Sequence, residues 1–157
     1  MKEPWRNGNR AVRDRIVKQP LSYFWSANIQ TRLNAWKRSL LGRHVCGETV
    51  LYLSVLTLGE IRKSVAALTQ SKRRTLLESW LEVELQARFA GRILSIDAAV
   101  ADRWGVLAVE VKAKGAALST IDGLLAATAL HHNLTIVSRN IGDFAYTQVS
   151  VLNPWKA

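Results

Sequence analysis

The stretch LYLSVLTLGEIRKSV, residues 51–65, changes periodicity part-way along, and that change decides the fold class. Residues 51–57 form a short apolar run with β-branched members, the pattern of a buried strand. From Leu58, Gly59 and Glu60 onward, Ile61, Val65 and Leu68 fall on one face at helical spacing, so a helix follows directly. The same unit recurs downstream. A second helix is predicted over 72–90, with Leu76, Leu77, Trp80, Leu81, Leu85 and Phe89 inward and Lys72, Arg73 and Arg74 in solvent; it pairs with the first as a hairpin. RILSI at 92–96 reads as a strand. Asp97 then stands at the N-cap of a helix carrying Val100, Trp104, Leu107 and Val111 and stopping near Gly115. Ser119 or Thr120 caps a helix over 121–132, LTIVS at 134–138 is a third strand, and VSVL at 149–152 is the last. Strands that read as continuous apolar runs between helices imply a parallel sheet covered on both faces, an α/β fold of the α/β/α sandwich type.

Composition sets the frame for this reading. The chain has 157 residues, 48% of them apolar and 22% charged, as in a globular protein with a real core. No apolar run reaches the roughly 18 residues of a spanning helix, and no signal peptide is visible, so no membrane contact and a cytoplasmic location are expected. One cysteine, Cys46, excludes an internal disulfide and the common thiolate zinc sites. The net charge of +10 is uneven. Residues 1–49 are rich in Arg, Lys and Trp with weak periodicity, whereas residues 50–157 alternate apolar runs with amphipathic stretches. The chain thus divides into a basic, atypical N-terminal region over 1–49 and an α/β domain over 50–157. A basic arm favours polyanions through counterion release, and serves equally as a solvated tail.

In a parallel sheet, functional groups collect beyond the carboxyl ends of the strands, where the strand order reverses. Three acids satisfy that rule: Glu60 after the first strand, Asp122 in the first turn of the helix at 121, and Asp143 in the loop Arg139-Asn140-Ile141-Gly142-Asp143-Phe144. Hard divalent cations take a few carboxylates together with water and substrate phosphate oxygens, so converging acids on a basic chain point to a metal site for phosphodiester chemistry. Each acid also has a structural use: Glu60 and Asp122 suit the positive end of a helix dipole, and Asp143 suits a turn with Asn140 and Gly142. His131 and His132, at a helix end without a third ligand, are read as dipole partners, and Trp80 and Trp104 as core.

The segments LYLSVLTLGEIRKSV (51–65), RILSIDAAVADRWG (92–105), STIDGLLAATALHHNLTIVSRNIGDF (119–144) and VLNPW (151–155) together resemble the PIN-domain ribonucleases of the VapC type, toxins of type II toxin–antitoxin pairs. The resemblance runs in order over about residues 50–157. It implies a Mg²⁺- or Mn²⁺-dependent endoribonuclease with an RNA substrate, usually a homodimer, held inactive by a cognate antitoxin. Its acidic quartet maps onto Glu60, Asp122 and Asp143. Arg139, in the same loop as Asp143, serves either to steer the phosphate or as a solvated loop charge.

The fourth acid is the departure. The family normally opens with a strand ending in an Asp-Thr-Asn-Val-like segment, and no such aspartate is present; the nearest analogue is Ser26-Ala27-Asn28-Ile29 after Leu21-Ser22-Tyr23-Phe24-Trp25. Serine cannot replace a carboxylate's charge, and Asp14 has no apolar strand leading to it. The first strand is therefore expected to be diverged or missing. Either residues 1–49 are a diverged first βα unit with Ser26 at the ligand position, or out-of-frame residues replace the true first strand; the Arg/Trp-rich composition and its abrupt end near Val50 favour the second. Two functional classes are open: a ribonuclease toxin weakened by loss of one ligand, or a non-catalytic remnant that binds antitoxin or RNA without cleavage. A DNA-binding regulator is disfavoured, since no helix-turn-helix with a basic face is visible.

Overall fold

The computed structural model describes residues 51–138 and 140–153, and residues 16–18 as backbone. Leu21–Trp25, Ser26 and Arg139 fall outside the described residues. Five strands pair in one sheet: β1 (Ile16–Lys18), β2 (Leu51–Ser54), β3 (Ile93–Leu94), β4 (Thr135–Val137) and β5 (Val151–Leu152). Their order is β3-β2-β1-β4-β5 and every pair is parallel.

A first strand is thus present. Ile16–Lys18 lies at the centre of the sheet, with Ile16 opposite both Leu51 and Thr135 and Lys18 opposite both Leu53 and Val137. Of the two alternatives, diverged or missing, the first strand is a diverged one, and it lies upstream of the Leu21–Trp25 segment. Lys18 is succeeded by Gln19-Pro20, and no Asp or Glu occurs between Asp14 and Glu48. The central strand therefore leads to no nearby acid.

The helices are α1 (Val55–Ala66), α2 (Lys72–Ser79) continuing through a π-helical segment (Trp80–Leu85) into the short α3 (Gln86–Arg88), α4 (Ala98–Ala113) and α5 (Thr120–His131). β2 ends three residues earlier than the apolar run suggests, because the Ser54 hydroxyl accepts the Leu56 amide at 3.2 Å and starts α1 at Val55. Glu60 consequently sits in the second turn of α1 and not at its start.

The π segment has a sequence origin. Leu77, Leu81, Leu85 and Phe89 are all buried and recur at a strict spacing of four. In a pure α-helix of about 3.6 residues per turn that spacing drifts around the axis, and a wider π turn removes the drift. Leu76, expected inward, falls off this face and is 71% exposed.

The helix ends conform to their residues closely. Asp97 caps α4 by accepting the Val100 amide at 2.9 Å. Gly115, at φ 72°, closes the same helix with Ala116 N–H donating to the Val111 carbonyl and Gly115 N–H to that of Lys112, the paired bonds of a Schellman motif. Asn133, at φ 54°, ends α5 in the same way.

Side chains of the strands alternate between two cores, which is what makes the sheet the middle layer. On one face Leu51, Leu53 and Val137 pack with Val65 of α1 and with Leu77, Trp80, Leu81, Leu85 and Phe89. On the other, Ile136 packs with Leu107 and Val111 of α4, Ala126 and Ala129 of α5, Phe144 and Val149, while Tyr52 joins from β2. The α/β/α arrangement expected from the sequence is therefore the one found. Among the described residues no helix is long and apolar enough to cross a membrane.

α4 lies close along α5 because Gly123 has no side chain. A Cβ there would stand 2.8 Å from Trp104 Nε1 and 2.9 Å from its Cδ1. Alanine would gain about 1 kcal/mol in helix propensity, but overpacking of this kind costs about 1–3 kcal/mol. Gly123→Ala is expected to lower the urea midpoint and alter the near-ultraviolet dichroism as Trp104 shifts; an unchanged midpoint and spectrum would show that the ring has room.

Candidate active site

In this strand order the direction of winding reverses between β1 and β4, so the carboxyl ends of those two strands flank the position where parallel sheets collect functional groups. Asp143 reaches that edge from the 3₁₀ turn Gly142–Phe144 that comes after β4. Asp122, in the first turn of α5, is close enough that its charge acts on Asp143.

Both carboxylates are tied to a neutral donor three residues earlier. The Ser119 hydroxyl donates to Asp122 Oδ2 at 2.6 Å, while the Asp122 amide donates back to Ser119 Oγ at 3.1 Å. This reciprocal pair is a variant of the capping box. The Asn140 side-chain amide donates to Asp143 Oδ2 at 2.6 Å. Asn140 is itself anchored, its backbone N–H donating to Oγ of buried Ser138 at 3.0 Å. The Ser138 N–H donates in turn to the Leu152 carbonyl of β5 at 3.0 Å, so the loop carrying Asp143 is fastened to the sheet.

Partial desolvation of the carboxylate, and then the neighbouring Asp122 charge, push the Asp143 carboxyl upward from its ordinary value, and the hydrogen bond from Asn140 opposes them. Two carboxylates held in mutual repulsion are a favourable place for a cation. The donors are hard oxygens, and Mg²⁺ is commonly bound by one or two carboxylates with the remaining positions left to water and phosphate, so the residues present fit such an ion.

Glu60 makes its ion-pair contact within α1. Its side chain is 26% exposed and lies 3.6 Å from Lys63 Nζ, one turn along α1. No group of three His, Cys, Asp or Glu able to hold a metal occurs among the described residues. Of the three acids singled out in the sequence, the structure thus brings together Asp122 and Asp143. Ser119 and Asn140 enter the sequence reading only as a cap and a turn residue; the signal for their second use is the shared spacing, Ser119-x-x-Asp122 and Asn140-x-x-Asp143.

His131 and His132 meet edge to face, with ring centroids 4.8 Å apart, at the far end of α5. Burial, and then the neighbouring His131, hold the His132 imidazole below its usual range, with Asp97 opposing them. A base whose pKa is depressed on folding favours the native state while neutral, so this contribution is complete above its ordinary value of 6.5 and is lost as pH falls below it. The urea midpoint is expected to drop between about pH 7.5 and about pH 5.5, by less in His132→Gln; an equal drop in both proteins would remove His132 as the cause.

A model of the PIN domain matches residues 27–148. The chain belongs to the PIN-domain family. This PIN domain is 38% identical over 124 residues to the toxin FitB of Neisseria gonorrhoeae, covering 79% of this chain and 85% of that protein. It is 30% identical over 136 residues to the VapC ribonuclease Y4jK of Sinorhizobium fredii, covering 87% of this chain and 93% of that one. Among solved structures it superposes on FitAcB from Neisseria gonorrhoeae with a TM-score of 0.76 and 32% identity, over 90% of this chain and all of that chain. The family match starts at residue 27, inside the region that the sequence pattern sets apart as atypical.

Proposed function

We propose that this PIN domain is a Mg²⁺- or Mn²⁺-dependent endoribonuclease, the toxin of a type II toxin–antitoxin module, weakened by the absence of the first acidic ligand. The observation that carries the proposal is the meeting of Asp122 and Asp143 at the switch point of the sheet. The two relatives named a toxin and a ribonuclease support the activity, and the FitAB assembly in which one similar chain was solved supports an antitoxin as partner. A second copy is the other expected partner, and sedimentation equilibrium reads it.

A bound divalent cation supplies charge neutralisation at the scissile phosphate and a water of lowered pKa. Asp122 holds the cation from the first turn of α5, its carboxylate oriented by Ser119. Asp143 is the second ligand: ionised, it completes the negative pocket, and protonated, it does not. Because its pKa is raised, ion binding weakens on acidification at a higher pH than an ordinary aspartate would dictate. Glu60 adds negative charge from α1 and is assigned the smallest share of the three, since Lys63 already engages it. Arg139, next in sequence to Asn140, is assigned to the phosphate.

Residues 1–49 bear on how active the chain is. The match to the Y4jK relative spans more residues than 50–157 contain, and the family match begins at 27. That continuity supports a diverged first βα unit over out-of-frame residues. The lack of any acid between Asp14 and Glu48 favours a second reading, a remnant that binds antitoxin or RNA without cutting. Incubating the purified chain with labelled single-stranded RNA and Mg²⁺ or Mn²⁺ separates the two. Cleavage abolished by EDTA supports the enzyme; intact RNA with folded protein and retained antitoxin binding supports the remnant.

A further inference from the structure

We propose that Asn140 is a positioning residue, holding the Asp143 carboxylate toward Asp122 so that the two can share one cation. The inference rests on the metal reading above and goes beyond it, because Asn140 is assigned no contact with the ion. Two carboxylates in electrostatic contact repel, and a side chain on a solvent-facing turn is free to rotate away from its neighbour. Something must hold Asp143 in place. The Asn140 amide does so through the 2.6 Å bond to Oδ2. That bond is charge-assisted, the stronger class of hydrogen bond.

Its anchor runs back into the sheet. The Asn140 backbone N–H is fixed at 3.0 Å by the Ser138 hydroxyl, and Ser138 is 4% exposed and bonded to β5. The Asn140 side chain therefore starts from a fixed backbone, whereas Asp143 sits on the short 3₁₀ turn. Ser119 makes the matching 2.6 Å contact to Asp122, but its hydroxyl also caps α5, so its substitution would mix positioning with helix stability. Asn140 caps no helix and offers the cleaner test.

The test is Mn²⁺ affinity of the full chain, read by electron paramagnetic resonance, in a cycle of four proteins: wild type, Asn140→Ala, Asp143→Asn and the double variant. Partners that orient metal ligands commonly contribute about 10- to 100-fold in affinity, so Asn140→Ala is expected to weaken Mn²⁺ binding about tenfold in the wild-type background. If Asn140 acts through Asp143, the same change in the Asp143→Asn background has an effect of less than about twofold. Asn140→Gln, which displaces the amide by one methylene and keeps the backbone bond to Ser138, is expected to fall between wild type and alanine. Equal losses in both backgrounds, or full affinity in Asn140→Ala, overturn the proposal while leaving the metal site in place. A wild-type chain that takes up no Mn²⁺ overturns it together with the metal reading. Melting temperatures of all variants are recorded alongside; a loss of affinity that tracks unfolding also counts against positioning.

Discussion

Asp122→Asn is expected to reduce metal-dependent RNA cleavage by at least about 10²-fold while leaving the chain folded. The size follows from the role: a cation contributes several kcal/mol of charge stabilisation in the transition state, and each 1.36 kcal/mol is about tenfold in rate. The separation of activity from stability follows from geometry. The substitution keeps the shape of the side chain, and the cap of α5 is made by the Asp122 backbone N–H to Ser119 Oγ, which asparagine retains. Loss of a negative charge in the first helical turn costs about 0.3–1 kcal/mol, and relief of repulsion with Asp143 returns part of it. The Asp143 carboxyl should also titrate closer to its ordinary value in this variant, because the Asp122 charge is one of the causes of its upward shift. Cleavage at the wild-type rate would show that the chemistry lies elsewhere.

The largest loss of stability is expected at the residue next to Asp143. Phe144 is 2% exposed and belongs to the core between the sheet, α4 and α5. Phe144→Ala removes a buried aromatic ring and leaves a cavity, at a cost of about 3–5 kcal/mol. For a domain of this size that lowers the melting temperature by roughly 10 °C, a large fraction of an ordinary domain's total stability. Because Phe144 ends the turn that carries Asp143, cleavage should fall as well, even below the melting range. Tyr146, in the same loop but 52% exposed, is the control: Tyr146→Ala should change stability by less than about 0.5 kcal/mol. Equal losses at 144 and 146 would contradict the packing described here.

Much of the architecture is legible because its signals are local. Asp97, Gly115 and Ser119 announce the ends of α4 and the start of α5, and each does what its chemistry predicts. The start of α1 is harder to read, since VLTLG is as apolar as the strand before it; the deciding event is a hydrogen bond from the Leu56 amide to Ser54 Oγ. The π segment lies in the spacing of Leu77, Leu81, Leu85 and Phe89, but only for a reader who asks what a strict repeat of four does to a helix of about 3.6 residues per turn. β1 leaves almost no local trace. Ile16–Lys18 is three residues long in a polar setting, and its place between β2 and β4 is fixed by pairing on both sides, which is tertiary information.

The candidate site divides in the same way. Asp122 and Asp143 are found by asking which acids lie just past the strands of a parallel sheet or at helix starts, and the charge of the first acts on the second. Glu60 also follows β2, in the second turn of α1 rather than the first, because Ser54 sets the start of the helix at Val55. The Asn140–Asp143 bond cannot be read as geometry from spacing alone, because the loop after β4 is fastened by Ser138 and β5 together, whereas the Ser119–Asp122 contact is local to the cap of α5.

The central claim is that one divalent cation sits between Asp122 and Asp143. Paramagnetic line broadening of backbone amides during a substoichiometric Mn²⁺ titration of the isotope-labelled chain tests it most directly. The amides of Ser119–Gly123 and of Asn140–Phe144 are predicted to broaden first and together, and to do so no longer in Asp122→Asn. Broadening centred on Asp97, His131 and His132, or no localised broadening at all, would contradict the account.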